Sequence, residues 1–257
     1  MKLFYREYGQ GKPLIILHGL LGSLDNWHSL SRKFGEHYRV FTLDQRNHGG
    51  SPHSAEMNYE VMTADLGQFL DDHQLKAAAI IGHSMGGKSA MTFALRYSTR
   101  VDVLVVVDIA PKSYPPHHDH IFEALISLDL KDHDSRTTVD QALARSIESP
   151  AVRQFLMKNL KRDDQNAFRW KMNLEALRSH YDEINSELVS EGTFTGPALF
   201  VGGKKSDYLS GSDLPSIRKL FPEAQLRELD TGHWVHAESP DDFFSVVMDF
   251  LRQSGYF

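Results

Sequence analysis

Apolar positions along the chain follow two alternating rhythms. Residues 14–17, 38–43, 77–81, 103–107, 198–201 and 226–229 are short apolar-rich segments, several of them unbroken. Runs of that kind suit strands covered on both faces, as in a parallel sheet, because a half-exposed strand alternates apolar with polar side chains. Residues 3–8 read as an edge strand before the turn at 9–13. Between the runs lie helical periods: Met62, Leu66, Phe69 and Leu70 share one face, as do Ala90, Phe93, Ala94 and Tyr97, and again Phe243, Val246, Val247, Phe250 and Leu251. The last helix opens with Ser239 at the N-cap, Pro240 at the first helical position, and Asp241 and Asp242 where a helix favours acids. Strand and helix in alternation, joined by short loops, predict a doubly wound, mostly parallel α/β sheet.

One stretch breaks the alternation. Residues 111–196 show no strand pattern but carry helical segments near 121–129, 139–146, 151–160, 166–178 and 181–190. That is too long for a loop, so it is expected to be an inserted helical cap, with residues 1–110 and 197–257 as the core. The 257 residues are ample for a sizeable core. A net charge of −6 gives no electrostatic footprint for nucleic acid or an anionic membrane. The absence of cysteine excludes disulfides, thiolate metal sites and a cysteine nucleophile. With neither a signal-peptide pattern nor a run of about 20 apolar residues, a cytoplasmic protein without a membrane span is expected.

The strongest chemical signal is Gly82-His83-Ser84-Met85-Gly86, set between an apolar strand and a helical period. A serine there sits on a tight strand-to-helix turn that lifts its hydroxyl above the sheet, and the flanking glycines remove side chains that would collide with backbone. Such a hydroxyl needs a base. His233 follows the last strand; His236, three residues on, is the rival, expected to serve a nearby structural hydrogen bond. Two acids compete to orient the base: Asp108 after the strand at 103–107, and Asp207 after that at 198–201. Spacing does not choose between them. For the oxyanion, the Met85 amide follows the nucleophile and a second donor is expected from Leu20, in His18-Gly19-Leu20-Leu21-Gly22. The turn-rich loop 44–51 reads as scaffold.

Five ordered blocks resemble those of the YbfF-like esterases of the α/β-hydrolase superfamily: His18 to Asn26, Arg46-Asn47-His48-Gly49, Gly82 to Lys88, Asp108-Ile109-Ala110-Pro111, and Gly232 to Glu238. The resemblance runs from about residue 14 to 250 and is weakest in the cap. It implies a carboxylesterase or thioesterase of small acyl substrates, with a Ser-His-Asp triad and no cofactor. In that family the usual acid position often holds serine, matching Ser206, and the acid then comes from the position of Asp108. Asp207 beside Ser206, and Lys204 and Lys205 in place of small polar residues, depart from that pattern and leave Asp207 as the alternative. The same fold also carries cofactor-free lyases of menaquinone synthesis, which are expected to need an arginine-lined pocket that residues 153–178 do not clearly supply, and non-catalytic ligand-binding proteins.

Other features have plainer readings. His117-His118-Asp119-His120 offers zinc-type ligands but reads better as a solvated loop, so no metal is expected. Leu21, Phe155 and Trp170 are taken as substrate-pocket residues, with Phe122, Leu125, Leu156 and Met172 as further candidates; for each of the six in the cap, the cap's own core is the competing and plainer destination. Lys158, Lys161, Arg162 and Arg169 suit a solvated helix face better than a site for anionic substrates. The expected partner is a small-molecule ester or acyl thioester, not a nucleic acid or membrane; oligomeric state is not legible.

Overall fold

The structure, a computed structural model, describes residues 1–190 and 192–257. In chain order its elements are β1 (Tyr5–Tyr8), β2 (Pro13–Leu17), α1 (His28–Phe34), β3 (Arg39–Leu43), α2 (Tyr59–Asp72), β4 (Ala78–His83), α3 (Met85–Arg96) and β5 (Val101–Val107). There follow α4 (Asp119–Ser127), α5 (Arg136–Leu143), α6 (Pro150–Met157), β6 (Leu160–Arg162), β7 (Phe168–Trp170), α7 (Leu174–Ser179) and α8 (Tyr181–Asn185). The chain closes with β8 (Ala198–Gly203), α9 (Leu214–Leu220), β9 (Ala224–Leu229), α10 (Val235–Glu238) and α11 (Pro240–Gln253). Seven strands form one sheet in the order β1-β3-β2-β4-β5-β8-β9. Among the described residues of this sheet, β1 alone is antiparallel to its neighbour. The doubly wound α/β sheet expected from the apolar runs is therefore the fold.

Successive residues of the same strands serve opposite faces. Ile15, Ile80, Leu104 and Phe200 pack with Leu66, Phe69, Phe93 and Ile217 from α2, α3 and α9. Leu14, Ala79, Val105 and Leu199 pack with Leu30 and Phe34 of α1 and Phe243, Val247 and Leu251 of α11. Both faces of the central strands are thus dry, which is why their sequences read as unbroken apolar runs. Parallel order also places every βα loop at the carboxyl edge, and the chemistry collects there. Two expected details change. Tyr97 is 38% exposed because α3 ends at Arg96. Ser239 stands at the N-cap of α11, but its hydroxyl donates to the Asp242 carboxylate at 2.6 Å and accepts no backbone N–H.

Between β5 and β8 the described residues form five α-helices, a short 3-10 turn and a hairpin, whose apolar residues form a separate cluster with Leu21, Met57, Tyr59, Met62 and Met85. The hairpin corrects the all-helical expectation for this stretch. β6 and β7 pair antiparallel, Leu160 opposite Trp170 and Arg162 opposite Phe168. The turn is built by Asp163, whose carboxylate accepts the N–H groups of Gln165 and Ala167, and by Asn166 at φ 61°. Asp and Asn tolerate such turns where most side chains do not. Arg162 and Arg169 accordingly sit on this hairpin, with Arg169 paired to Asp163 at 2.6 Å, and not on a helix face.

Candidate active site

Ser84 joins β4 to α3 with φ 52° and ψ −119°, a conformation that a non-glycine residue holds only when its surroundings impose it. The imposition comes from packing. A Cβ on Gly82 would lie 2.2 Å from the Gly86 carbonyl oxygen, and one on Gly86 would lie 2.5 Å from that of His18. Only glycines let the turn close and α3 start against the end of β2. The Ser84 hydroxyl makes no hydrogen bond among the described residues and borders a cavity of about 210 Å³, which His233 also lines.

Asp108 follows β5, fully buried, with φ 50°. One carboxylate oxygen accepts the Gly203 N–H at 2.8 Å. The other lies 2.7 Å from His233 Nδ1 and also accepts the Ser206 hydroxyl. Asp207 is exposed and makes no hydrogen bond or ion pair among the described residues. Of the two acids that spacing left open, the fold brings Asp108 to the histidine and leaves Asp207 in solvent. His233 is further fixed by the Tyr208 ring, stacked on it at 4.1 Å, and by its own carbonyl, which receives His83 Nε2–H at 2.9 Å. Burial, reinforced by the neighbouring His236 and His233 imidazoles, holds His83 well below the ordinary histidine range, so it is a neutral donor.

The loop after β2 leaves backbone amides unpaired, Leu20 among them. Gly22 N–H bonds the Gly19 carbonyl at 3.0 Å and Leu21 N–H bonds His48 Nε2 at 3.2 Å, whereas Leu20 N–H has no acceptor among the described residues. Met85 opens α3, so its N–H has no acceptor within the helix. Two histidines hold this loop. His48 Nδ1–H donates to the Arg46 carbonyl at 2.9 Å, which leaves Nε2 to receive Leu21. His18 Nδ1–H donates to the Gly19 carbonyl at 2.8 Å, and its Nε2 receives Gln45 N–H at 3.0 Å. Burial pushes His48 down to about 3 and lowers His18 as well, so both stay neutral and keep those tautomers. The motif residues are visible in sequence, but tautomers follow only from the contacts.

Behind the elbow, Lys88 is buried in α3. Its ammonium donates to the Asn185 carbonyl at 3.2 Å and to that of Ser186 beyond the end of α8, over the Tyr114 ring. Burial pushes it down to about 7.

Leu21 and Phe155 line the cavity, as do Leu20 and Leu156. Trp170 does not: its indole N–H donates to the Leu125 carbonyl at 3.3 Å within the inserted segment's own apolar cluster, to which Phe122, Leu125 and Met172 also belong. His236 Nδ1 makes no hydrogen bond among the described residues; the ring stacks on Trp27 at 4.0 Å and is pushed down to about 3 by burial first, then by His233. The run at 117–120 is not uniformly solvated. His117 and His120 are exposed, whereas His118 is half-buried at the cavity wall.

The family model described as alpha/beta hydrolase fold matches residues 12–240. The chain belongs to that family. The Danio rerio "sn-1-specific diacylglycerol lipase ABHD11" is 40% identical over 254 residues, covering 95% of this chain and 80% of the relative. "Esterase YbfF" of Escherichia coli is 36% identical over 243 residues, 93% of each chain, in keeping with the resemblance carried by the five sequence blocks. A solved structure titled "Marine microorganism esterase" superposes with a TM-score of 0.95 at 40% identity, covering 97% of this chain and 99% of that one. Among the described residues no helix is long and apolar enough to cross a membrane.

Proposed function

We propose that this α/β-hydrolase family member is a serine hydrolase that cleaves carboxylic esters of small acyl groups. The observation that carries the reading is the buried Asp108 carboxylate 2.7 Å from Nδ1 of His233, which lines the same cavity as a serine held at φ 52°. In the proposed cycle Ser84 Oγ attacks the ester carbonyl carbon while His233 Nε2 takes its proton. Asp108 keeps the imidazole in the Nδ1–H tautomer and faces the imidazolium charge. The carbonyl oxygen, now an anion, is received by the Leu20 and Met85 amides. The tetrahedral adduct collapses, the alkoxide leaves with the proton from His233, and an acyl-enzyme remains. Water, deprotonated by the same imidazole, then attacks the acyl carbon; the bond to Ser84 Oγ breaks, Oγ takes the proton back from His233, and the acid leaves.

The lining supports the substrate class. Among the described residues it contains His83, His118 and His233 but no lysine, arginine or carboxylate, which suits an uncharged ester and not the polyanion that a lyase of menaquinone synthesis would need. About 210 Å³ is below the roughly 300–1,000 Å³ of pockets for drug-sized ligands, and so suits short acyl chains. The inserted segment, residues 111–196, acts as the cap that sets this limit. Thioesters share the carbonyl chemistry and are one arm of the test. Wild type and Ser84→Ala are compared on p-nitrophenyl esters and acyl-CoAs of graded length; the reading expects ester turnover to vanish in the variant. Retention of more than about a tenth of wild-type turnover would overturn it.

A further inference from the structure

We infer that His118 is a specificity-determining residue: its Nε2–H is offered to the cavity and selects substrates carrying a second uncharged oxygen beyond the scissile ester group. The inference rests on the hydrolase reading of the same site. His118 stands at the N-cap of α4 and lines the cavity beside Ser84 and His233.

Its tautomer follows from one phenol. The Tyr181 hydroxyl oxygen accepts the backbone N–H of His117 at 3.1 Å and of His118 at 3.0 Å. Both of its acceptor positions are then occupied, so its single hydrogen goes to the remaining partner, His118 Nδ1, at 2.6 Å. With Nδ1 accepting, the imidazole proton sits on Nε2. Burial, with the His233, His117 and His120 imidazoles around it, pushes the ring down to about 4, so at neutral pH it is an uncharged single donor. Nε2 meets no acceptor among the described residues.

Much of the cavity lining is apolar, from Leu20, Leu21, Ile121, Val152, Phe155 and Leu156, with Tyr208 and Trp234 adding polar-tipped rings. A plain alkyl substrate that fills such a cavity displaces water and leaves the N–H unpaired. A substrate with an ether, hydroxyl or carbonyl oxygen in reach pairs it. An unpaired buried donor is the stronger source of discrimination, because its desolvation is not returned. A carboxylate in reach would be desolvated with no lysine or arginine among the described lining residues to pair it, so an uncharged oxygen is favoured over a carboxylate.

The test uses isosteric pairs in which one methylene becomes an ether oxygen. On the acyl side these are p-nitrophenyl pentanoate and 3-methoxypropanoate; on the alcohol side, butyl acetate and 2-methoxyethyl acetate. The readout is the ether-to-alkyl ratio of kcat/KM, which a purely structural role of His118 would leave unchanged. In at least one series the wild-type ratio is expected to exceed that of His118→Leu by about tenfold or more. His118→Gln, which retains an N–H donor, should recover part of it. Tyr181→Phe, which frees the imidazole to exchange tautomers, should lower the ratio without removing the ring. Equal ratios in wild type and His118→Leu in both series overturn the inference; if His118→Leu does not fold, an unchanged ratio in Tyr181→Phe does so. Active protein is counted by fluorophosphonate labelling of Ser84. Absence of labelling and of alkyl-ester turnover in wild type would instead overturn the hydrolase reading itself.

Discussion

Replacing Asp108 with asparagine separates its charge from its shape. The residue is fully buried, with one oxygen held by Gly203 N–H at 2.8 Å and the other 2.7 Å from His233 Nδ1. Asparagine keeps the first contact with its carbonyl oxygen. Its NH2 group then faces His233 Nδ1, which must accept, and the imidazole proton moves to Nε2 on the side needed to receive the Ser84 proton. The base is blocked, and the imidazolium of attack loses its negative partner. Together these should lower kcat by up to about four orders of magnitude, or ~5–6 kcal/mol in the barrier. Asp207→Asn, at an exposed side chain without polar partners, should change it by no more than about twofold, as surface substitutions do. The assay is p-nitrophenyl acetate turnover for wild type, both single variants and the double variant, with thermal melts to confirm folding. The double variant should match Asp108→Asn, since the second site adds nothing. A deep loss in Asp207→Asn with near-normal Asp108→Asn would refute the reasoning and move the acid to the loop after β8.

Phe155→Ala should extend the range of accepted p-nitrophenyl acyl chains, because Phe155 lines the cavity, whereas Trp170→Ala, at a partly buried ring, should leave that profile unchanged and lower stability by about 1–3 kcal/mol; the chain-length series and a denaturant titration check both, and a profile altered only by Trp170→Ala contradicts the assignment. Acid should unfold the protein early. His18, His48, His83, His118 and His236 are all held neutral by burial, two of them pushed to about 3 and one to about 4, so between those values and the unfolded 6.5 the unfolded chain binds more protons. Their contribution to stability is complete above about pH 6.5 and is lost as pH falls, by up to ~1.4 kcal/mol per pH unit for each group. Urea melts from pH 8 to 4.5 should therefore show a flat region and then a steep fall below 6.5; constant stability down to pH 4.5 would contradict the buried neutral state of these rings.

The parallel sheet was legible because burying both faces of a strand writes itself into the sequence as an unbroken apolar run, and the elbow because its turn tolerates little but glycine around Ser84. Other features depend on contacts distant in sequence. The choice between Asp108 and Asp207 is made by 125 residues of separation closing to one hydrogen bond. The hairpin at 160–170 was masked because Phe168 and Met172 also fit a helical period; the Asp163 to Asn166 turn was its one local sign. Trp170 was ambiguous for a related reason, since an aromatic residue between β5 and β8 has two apolar destinations and only tertiary packing chooses. His118 belonged to a polar run that resembled a surface loop, and nothing nearby in sequence announced Tyr181 as the partner that turns one imidazole inward.

The central claim is that Ser84 is the nucleophile. Its most direct measurement is reaction of the intact protein with a fluorophosphonate, followed by mass spectrometry of the whole chain and of its peptides. A single adduct on the peptide containing Ser84, absent from Ser84→Ala and greatly slowed in Asp108→Asn, is the predicted result. An adduct confined to another residue, or ester turnover that persists in Ser84→Ala with no adduct at position 84 in wild type, would contradict it.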